Sequence, residues 1–592
     1  MKKKKRRILD ESSGQKVTAA GVAGEPELGA SRFELSRLDY IVPAVIAFIA
    51  AVWAFFYIGT SIEWDDLFYM NVSQYTTRQA WVLNRYGHIY LQKLFMWLTG
   101  DALTGAKVYW SFLFFSTCLL VYWCARLLAG KGGWVIGLLA VLLFCSHDLL
   151  LGYYAGCTFS DVTVMFLVAL ATFIYLYFGL GTKVRRHVVL LILGLIFFWA
   201  TKSKETGICL AVLPFGLLAG SAGSDGPRRF RRDLGWICIG VLTGLVMLMI
   251  LDLAFLKDPL FSIRPSNIKV LLKFNYRGYY PTAERSMSWY TYVSTKVFFA
   301  SVLLYFLVGC GAAKKKFSMG EKITWVLPLI LVMFISYVRG SFHIIWRYFA
   351  PAVPGTCIWA AQFFSFDVKG IWTAKGTHHI PRLVIAFVLV LAAFIIVLAF
   401  MSHVDDLVGF FQLRGPEIFY TAAILPISVT ILVMVGALSR KRGLIALFVS
   451  CVCFLFIIYH PLKVNLTSLK KKAVAQRSEY RYEPYRVFAD QLRFDKGLKI
   501  LVSKDIHKRS WMLGREYRSH CWMFNVFFNQ KFDEKQFIDG SWEDILRGDY
   551  TYAFITFQDW SGLSERHNVE HLKKNYELKT DRQTGTILLK RR

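Results

Sequence analysis

SIEWDDLFY, Ser61 to Tyr69, sets three carboxylates, Glu63, Asp65 and Asp66, directly after the first apolar run of the chain at roughly 40–60. That run is long enough to cross a bilayer, and the amino terminus before it reads MKKKKRR. Basic residues are retained on the cytoplasmic side of a membrane, so the acidic stretch emerges at the opposite face. Carboxylates at a membrane rim commonly serve solvation or topology. These flank Trp64 and lead into a Trp-, Tyr- and Leu-rich stretch rather than a plain loop, a pattern of amphipathic helices lying along a membrane surface. The reading that follows is a membrane protein with a site at its outer face.

Composition agrees. Of 592 residues 55% are hydrophobic, with 49 Phe and 18 Trp, and the mean hydropathy is +0.42. Soluble proteins lie outside this range. The net charge of +30 would suit nucleic-acid binding only if it formed one patch; instead Lys and Arg cluster between apolar runs, as cytoplasmic loops do. No nucleic-acid partner is expected. The 11 cysteines sit mostly inside apolar runs without metal-ligand spacing, so neither a disulfide framework nor a metal site is expected. The first apolar run is too long for a signal peptide and lacks its small-residue cleavage pattern, so it is read as a retained helix.

Apolar runs fall at roughly 40–60, 107–128, 134–151, 161–180, 188–201, 207–221, 234–256, 294–312, 323–338, 349–365, 382–402, 419–438 and 443–461. With the amino terminus inside, every inner connection is basic. They carry Arg126 and Lys131; Lys183, Arg185 and Arg186; Arg228, Arg229, Arg231 and Arg232; Lys314, Lys315 and Lys316; Lys369, Lys375 and Arg382; and Arg440, Lys441 and Arg442. An odd number of spans leaves the tail outside. In that tail YEPYRVFADQLRF has helical periodicity, LKILVS and YTYAFITF read as strands, and YELKTDRQTGTILLK reads as a closing hairpin. The expected fold is mainly α, a polytopic bundle of about 13 membrane helices with a small C-terminal α/β domain. The expected division is a basic cytoplasmic segment 1–38, a membrane domain 39–461 with an outer loop 61–106, and an extracytoplasmic domain 462–592. The protein is placed in the inner (cytoplasmic) membrane, with its tail periplasmic or extracellular.

Four polar features fall at the outer face. The loop 61–106 adds Arg85, His88 and Lys93 to the acidic triplet; the alternative is a solvated loop with interfacial aromatics. TKSKETG interrupts two short apolar segments with Lys202, Lys204 and Glu205. A charge in a span costs about 2.5–3.5 kcal/mol at the helix centre, so such residues are paired or functional, unless a lysine simply snorkels beside Glu205. The loop after Leu256 carries Lys257, Arg264, Lys269, Lys273, Arg277 and Arg285 against only Asp258 and Glu284. Cations placed outside against the charge rule suit an anionic substrate, or anionic headgroups. WRYFAPAVP sets Arg347 and Tyr348 at the outer rim, where Arg347 could also be a simple anchor.

Carboxylates and cations at one depth suit transfer of a sugar from a lipid phosphate. The phosphate departs as a stabilised anion, so no general acid is needed; a base must take the acceptor's proton and cations must hold the leaving group. A single displacement would invert the anomeric carbon, whereas a glycosidase would need a second carboxyl as acid.

With these residues in view, the stretch from about Leu38 to Phe366 resembles the GT-C superfamily of polytopic glycosyltransferases. The likeness is to the bacterial branch related to protein O-mannosyltransferases, lipid A aminoarabinose transferases and lipopolysaccharide-core galacturonosyltransferases. WDDLFY matches the acid pair opening that family's first outer loop, which implies Asp65 as catalytic base and Asp66 in support. Ser160-Asp161 matches an acid at the start of its fourth span. Thr201-Lys202 matches a Thr-Lys motif whose lysine contacts lipid phosphate, with Lys204 the alternative. Arg347, Tyr348 and Pro351 match an Arg-Tyr-Pro element. Where the family often carries His-Pro-Pro or Lys-Pro-Pro in the first loop, this chain reads GHIYLQK, with His88 in its place.

The resemblance implies a polyprenyl-phosphate-linked sugar donor, a lipid, glycan or protein acceptor, and membrane lipids as partners. Glu63, Arg85, His88, Asp161, Arg264 and Arg277 are candidates for substrate contact. No cofactor is required, and a divalent cation is allowed. Adjacent Asp65 and Asp66 need not converge on one ion, since helical neighbours point about 100° apart. The rival readings are a ligase or polymerase of lipid-linked glycans, a transporter or flippase of an anionic lipid, and a non-catalytic scaffold.

Overall fold

The computed structural model describes residues 37–57, 64–76, 78–129, 133–147, 160–178, 183–211, 226–273, 350–362, 499–503, 525–526, 536–540, 550–566, 569–582 and 585–592. Helix α1 (Leu38–Tyr57) leads to α2 (Trp64–Tyr75), a 3-10 turn at Ala80–Arg85 and α3 (Tyr86–Thr99). Then come α4 (Ala102–Ala129), α5 (Trp134–Ser146), α6 (Ser160–Phe178) and α7 (Lys183–Ser203), which passes into a 3-10 turn at Glu205–Ala211. Helix α8 (Gly226–Leu251) ends in a π turn, Asp252–Leu256, followed by α9 (Pro265–Lys273) and, further on, α10 (Val353–Gln362).

Among the described residues α4, α6, α7 and α8 are long and apolar enough to cross a membrane, and α1 and α5 contain shorter apolar stretches. The protein is therefore a polytopic helical membrane protein. The spans expected at 294–312, 323–338, 382–402, 419–438 and 443–461 lie outside the described residues. Of the run at 207–221, the described part is the 3-10 turn.

Helices α4 and α5 pack through Tyr122, whose ring lies where a Cβ on Gly137 would sit, 2.7 Å away. The core between α1, α4, α5, α6 and α10 is filled by Trp110, Leu113, Phe114, Phe144 and Ile358. Helices α7 and α8 come closer still. A Cβ on Gly194 would lie 2.1 Å from the Ile237 carbonyl oxygen, and one on Gly240 would lie 2.0 Å from that of Leu191. Small residues that let backbones approach replace the hydrophobic driving force that lipid does not supply.

Two buried ion pairs tie the ends opposite α2 and α3. Arg126, at the end of α4, donates from Nε to Asp39 Oδ1 at 2.7 Å and from Nη2 to Oδ2 at 3.2 Å. Arg186 of α7 grips Asp233 of α8, with Nε–Oδ1 at 3.0 Å. Both arginines belong to the inner clusters read from the charge pattern.

The described segments of the loop 61–106 are helical, and α2 and α3 each bury residues against the bundle. Tyr86, His88, Ile89 and Gln92 are buried, while Leu94, Trp97 and Leu98 remain exposed. The cause lies at Gly87, where a Cβ would meet Ser203 Oγ at 2.8 Å and the Lys202 carbonyl carbon at 2.9 Å. Only glycine lets α3 cross the end of α7 at this distance. Lys93 then donates to the Ser73 and Gln74 carbonyls, both at 3.1 Å. A cation at the carboxyl end of α2 satisfies its orphan carbonyls and opposes its dipole.

The tail contributes a five-stranded mixed sheet in the order β2-β1-β3-β5-β4. Here β1 is Ile500–Ser503, β2 Phe537–Gly540, β3 Tyr552–Thr556, β4 Tyr576–Asp581 and β5 Thr586–Arg591. Strand β1 runs parallel to β2 and β3, and the remaining pairs are antiparallel. Both strands read from the sequence and the closing hairpin are present, the latter turning through Gly585 at φ 63°. Strand β2 was not anticipated, and the helix expected near 482–494 lies outside the described residues. Helices α11 (Phe557–Arg566) and α12 (Val569–Asn575) connect β3 to β4. Asn525 donates from Nδ2 to Asn71 Oδ1 at 2.7 Å, both buried, joining the tail to α2.

Candidate functional site at one end of the bundle

The ends of α6, α7 and α8 meet α2 and α3 in one polar layer. Asp66 is completely buried on α2. Asp65 is the second residue of that helix; its side chain lies outside the described structure, as do Glu63, Arg277, Arg347 and Tyr348.

Arg85 and Glu205 form a forked ion pair, with Nη2–Oε1 at 3.2 Å and a shorter Nη1–Oε2 contact. Asn84 adds a donor to Glu205 Oε2 at 2.6 Å. Burial pushes the Glu205 carboxyl up, but the charge and hydrogen bonds of Arg85, aided by Lys204, outweigh it and hold it at about 2. Lys204 itself reaches Asp161 Oδ2 at 2.5 Å, and both residues are almost fully buried. Asp161 Oδ1 has no hydrogen-bond partner among the described residues.

His88 sits beside this layer with no exposure. Its Nδ1 is 2.8 Å from Thr163 Oγ1, which also meets the Tyr109 hydroxyl at 2.8 Å. Its Nε2 has no partner among the described residues. Burial, and then the charges of Arg85 and Lys204, push its pKa down to about 3, so the imidazole is neutral.

Lys202 differs from Lys204. Its ammonium lies 3.4 Å from the Ser262 carbonyl oxygen, and among the described residues no carboxylate comes within ion-pair distance. The nearest charge interaction is with Asp252. Asp252 is occupied by other donors, the Tyr90 hydroxyl at 2.5 Å and the Ser262 N–H at 3.0 Å. Arg264 lies outside the layer, half exposed and paired with Asp258 at 2.9 Å.

The candidates therefore divide. Arg85, His88, Asp161 and Lys204 converge, Lys202 faces Ser262 and Asp252, and Arg264 pairs with Asp258. Asp252, Tyr90 and Ser262 were not singled out in the sequence. A lone acid inside the apolar run 234–256 was the available signal for Asp252, because such a residue is expensive unless it has work. Among the described residues no group of three or more His, Cys, Asp or Glu could hold a metal ion.

A bundle of membrane-crossing helices closed at one end by a buried polar layer defines a polytopic helical membrane protein. Among solved structures it resembles ArnT from Cupriavidus metallidurans. The crystal structure of that protein bound to undecaprenyl phosphate matches with a TM-score of 0.56 at 12% identity, over 94% of this chain and 98% of that one. The apo state matches with a TM-score of 0.51 at 11% identity, over 93% and 97%. Identity this low shows a shared fold. No family model matches the sequence, and no curated protein does.

Proposed function

We propose that the chain is a membrane glycosyltransferase that moves a sugar from a polyprenyl-phosphate donor to a hydroxyl of a lipid, glycan or protein acceptor at the outer membrane face. The observation that carries this reading is Lys202. In a layer where Arg85 and Lys204 are each neutralised by a carboxylate, Lys202 keeps a partly buried charge that no carboxylate touches among the described residues. A lone cation at a membrane edge is a receptor for an anion, and the ArnT crystal structure of the same fold holds undecaprenyl phosphate.

On this reading Lys202, rather than Lys204, takes the donor phosphate, and Lys204 stays paired with Asp161. The open Asp161 Oδ1 and His88 Nε2 face the sugar hydroxyls. Arg347 and Tyr348 add to the phosphate contacts, and Arg277 and Glu63 to the substrate contacts. Asp65 takes the proton of the acceptor hydroxyl as its oxygen attacks the anomeric carbon; the C–O bond to phosphate breaks on the opposite face, so configuration inverts. Asp66, buried one position on, holds α2 in place. Protein cations receive the leaving charge, so the step calls for no metal.

The test is transfer from a radiolabelled polyprenyl-phosphate sugar in proteoliposomes. Asp65→Asn keeps size but removes the proton acceptor, and general-base catalysis contributes about 10²–10⁴-fold. Turnover is expected to fall by that order with donor binding and melting temperature unchanged, and Asp66→Asn to hurt turnover less. Near-parental turnover of Asp65→Asn would overturn the mechanism.

A further inference from the structure

His88 is completely buried on α3, and its Nε2 has no hydrogen-bond partner among the described residues. Buried polar atoms are normally satisfied, so each exception asks for an explanation. The other nitrogen is fully engaged. Nδ1 lies 2.8 Å from Thr163 Oγ1, and that oxygen lies 2.8 Å from the Tyr109 hydroxyl. Thr163 and Tyr109 are buried too. The rings of Tyr69 and Tyr109, with centroids 5.5 and 5.7 Å from that of the imidazole, fix its plane.

The hydrogens available decide which nitrogen carries the proton. Three groups share two contacts, and Thr163 has one hydrogen to give. If Tyr109 donates to Thr163 and Thr163 donates to Nδ1, both hydroxyl hydrogens are used and Nε2–H alone is left over. If Nδ1 instead donates to Thr163, the hydrogen of Thr163 or of Tyr109 loses its acceptor among the described residues, and the Nε2 lone pair is bare as well. Every bare buried group is costly, so the arrangement with one is preferred to the arrangement with two. His88 is therefore a neutral imidazole whose proton sits on Nε2.

Its surroundings keep it neutral. Burial and the charges of Arg85 and Lys204 oppose a second proton. A neutral N–H suits an uncharged oxygen, whereas a phosphate beside it would favour the imidazolium. In the same layer Asp161 Oδ1 is a buried carboxylate oxygen without a hydrogen-bond partner among the described residues. A donor and an acceptor left open together are the complement of hydroxyls, and a sugar is dense in them.

We propose that His88 binds the donor sugar, donating from Nε2–H to one of its oxygens, with Thr163 and Tyr109 as the residues that set the proton on that nitrogen. This rests on the donor reading given above and gives the contact a direction: His88 is a donor there, neither an acceptor nor a second base.

The two nitrogens can be removed separately. An Asn side chain places its oxygen near Nδ1 and reaches no further, so His88→Asn keeps an acceptor for Thr163 and deletes the outer donor. His88→Gln places an amide near Nε2 and gives up the Thr163 contact. Full-length protein in proteoliposomes is compared as parent and both variants. The readouts are KM and kcat for the radiolabelled polyprenyl-phosphate sugar, binding of undecaprenyl phosphate, which carries no sugar, and thermal unfolding. Solid-state nitrogen-15 spectra of histidine-labelled parent, with His88 assigned by its absence from His88→Gln, read the protonated nitrogen directly. The proton is expected on Nε2. His88→Asn is expected to raise the donor KM about fivefold, the worth of one neutral hydrogen bond, with undecaprenyl phosphate bound as by the parent. His88→Gln should raise KM less than His88→Asn, even where it melts lower.

A proton on Nδ1 overturns the proposal. An unchanged donor KM in His88→Asn also overturns it and leaves the donor reading standing. Equal losses in both variants, in step with their melting temperatures, make His88 structural. Weaker binding of undecaprenyl phosphate by His88→Asn moves the contact to phosphate and removes the sugar assignment. If the parent transfers no sugar, the donor reading fails and takes the substrate of His88 with it, while the nitrogen spectrum still places the proton.

Discussion

Lys202 and Lys204 are two residues apart in TKSKETG, and sequence cannot rank them. What separates them is where α7 stops. The helix ends at Ser203, so Lys204 turns inward to Asp161 while Lys202 stays on the last helical turn. Their variants should fail differently. Lys204→Ala leaves a buried carboxylate without its partner, a loss of about 3–5 kcal/mol that thermal unfolding would register. Lys202→Ala is expected to keep the parental melting temperature and to lose phosphate binding. A second prediction concerns pH. The His88 imidazole is held at about 3 against an ordinary value of 6.5, so between those values the unfolded chain binds a proton that the folded chain does not. Stability falls as pH drops below about 6.5. The Glu205 carboxylate is held at about 2 against 4.5; its contribution is complete above 4.5 and is lost as pH falls towards 2. The two windows separate. His88→Gln should flatten the decline between pH 6.5 and 4.5, and Glu205→Gln only the decline below it. Melting temperatures measured across that range decide both.

At the scale of elements, the spans of α4, α6, α7 and α8 were legible because length and hydropathy decide them. The burial of α2 and α3 was not, because His88 and Gln92 look like solvent-facing residues until Gly87 is seen to admit the end of α7. Strand β2 escaped because FIDG offers four residues with an acid and a glycine, too little for a period-two pattern. The glycines of α8 show how pattern alone misleads, since Gly235 and Gly240 look alike in sequence. A Cβ at Gly235 meets nothing within 4 Å, whereas one at Gly240 strikes backbone at 2.0 Å. Gly235→Ala should therefore gain up to about 1 kcal/mol from helix propensity. Gly240→Ala should lose about 1–3 kcal/mol by overpacking, against a carbonyl that cannot move aside as a side chain would. Thermal unfolding of the two variants in one detergent checks the pair.

For the whole molecule the charge rule predicts an amino terminus inside and a tail outside. Alkaline phosphatase fused after Leu462 should be active in whole cells; a stably made but inactive fusion would reverse the orientation and remove the outer-face site with it. The hydrogen bond from Asn525 to Asn71 spans 454 positions of the chain. Ribosomes add about 5–20 residues per second, so α2 waits roughly 20–90 s between its own synthesis and the arrival of Asn525. The helix that bears Asp65 thus receives one of its buried partners only near the end of translation. A nascent chain already threaded into the bilayer has yet to receive the contact that seats this helix against the tail, and prematurely terminated chains never receive it.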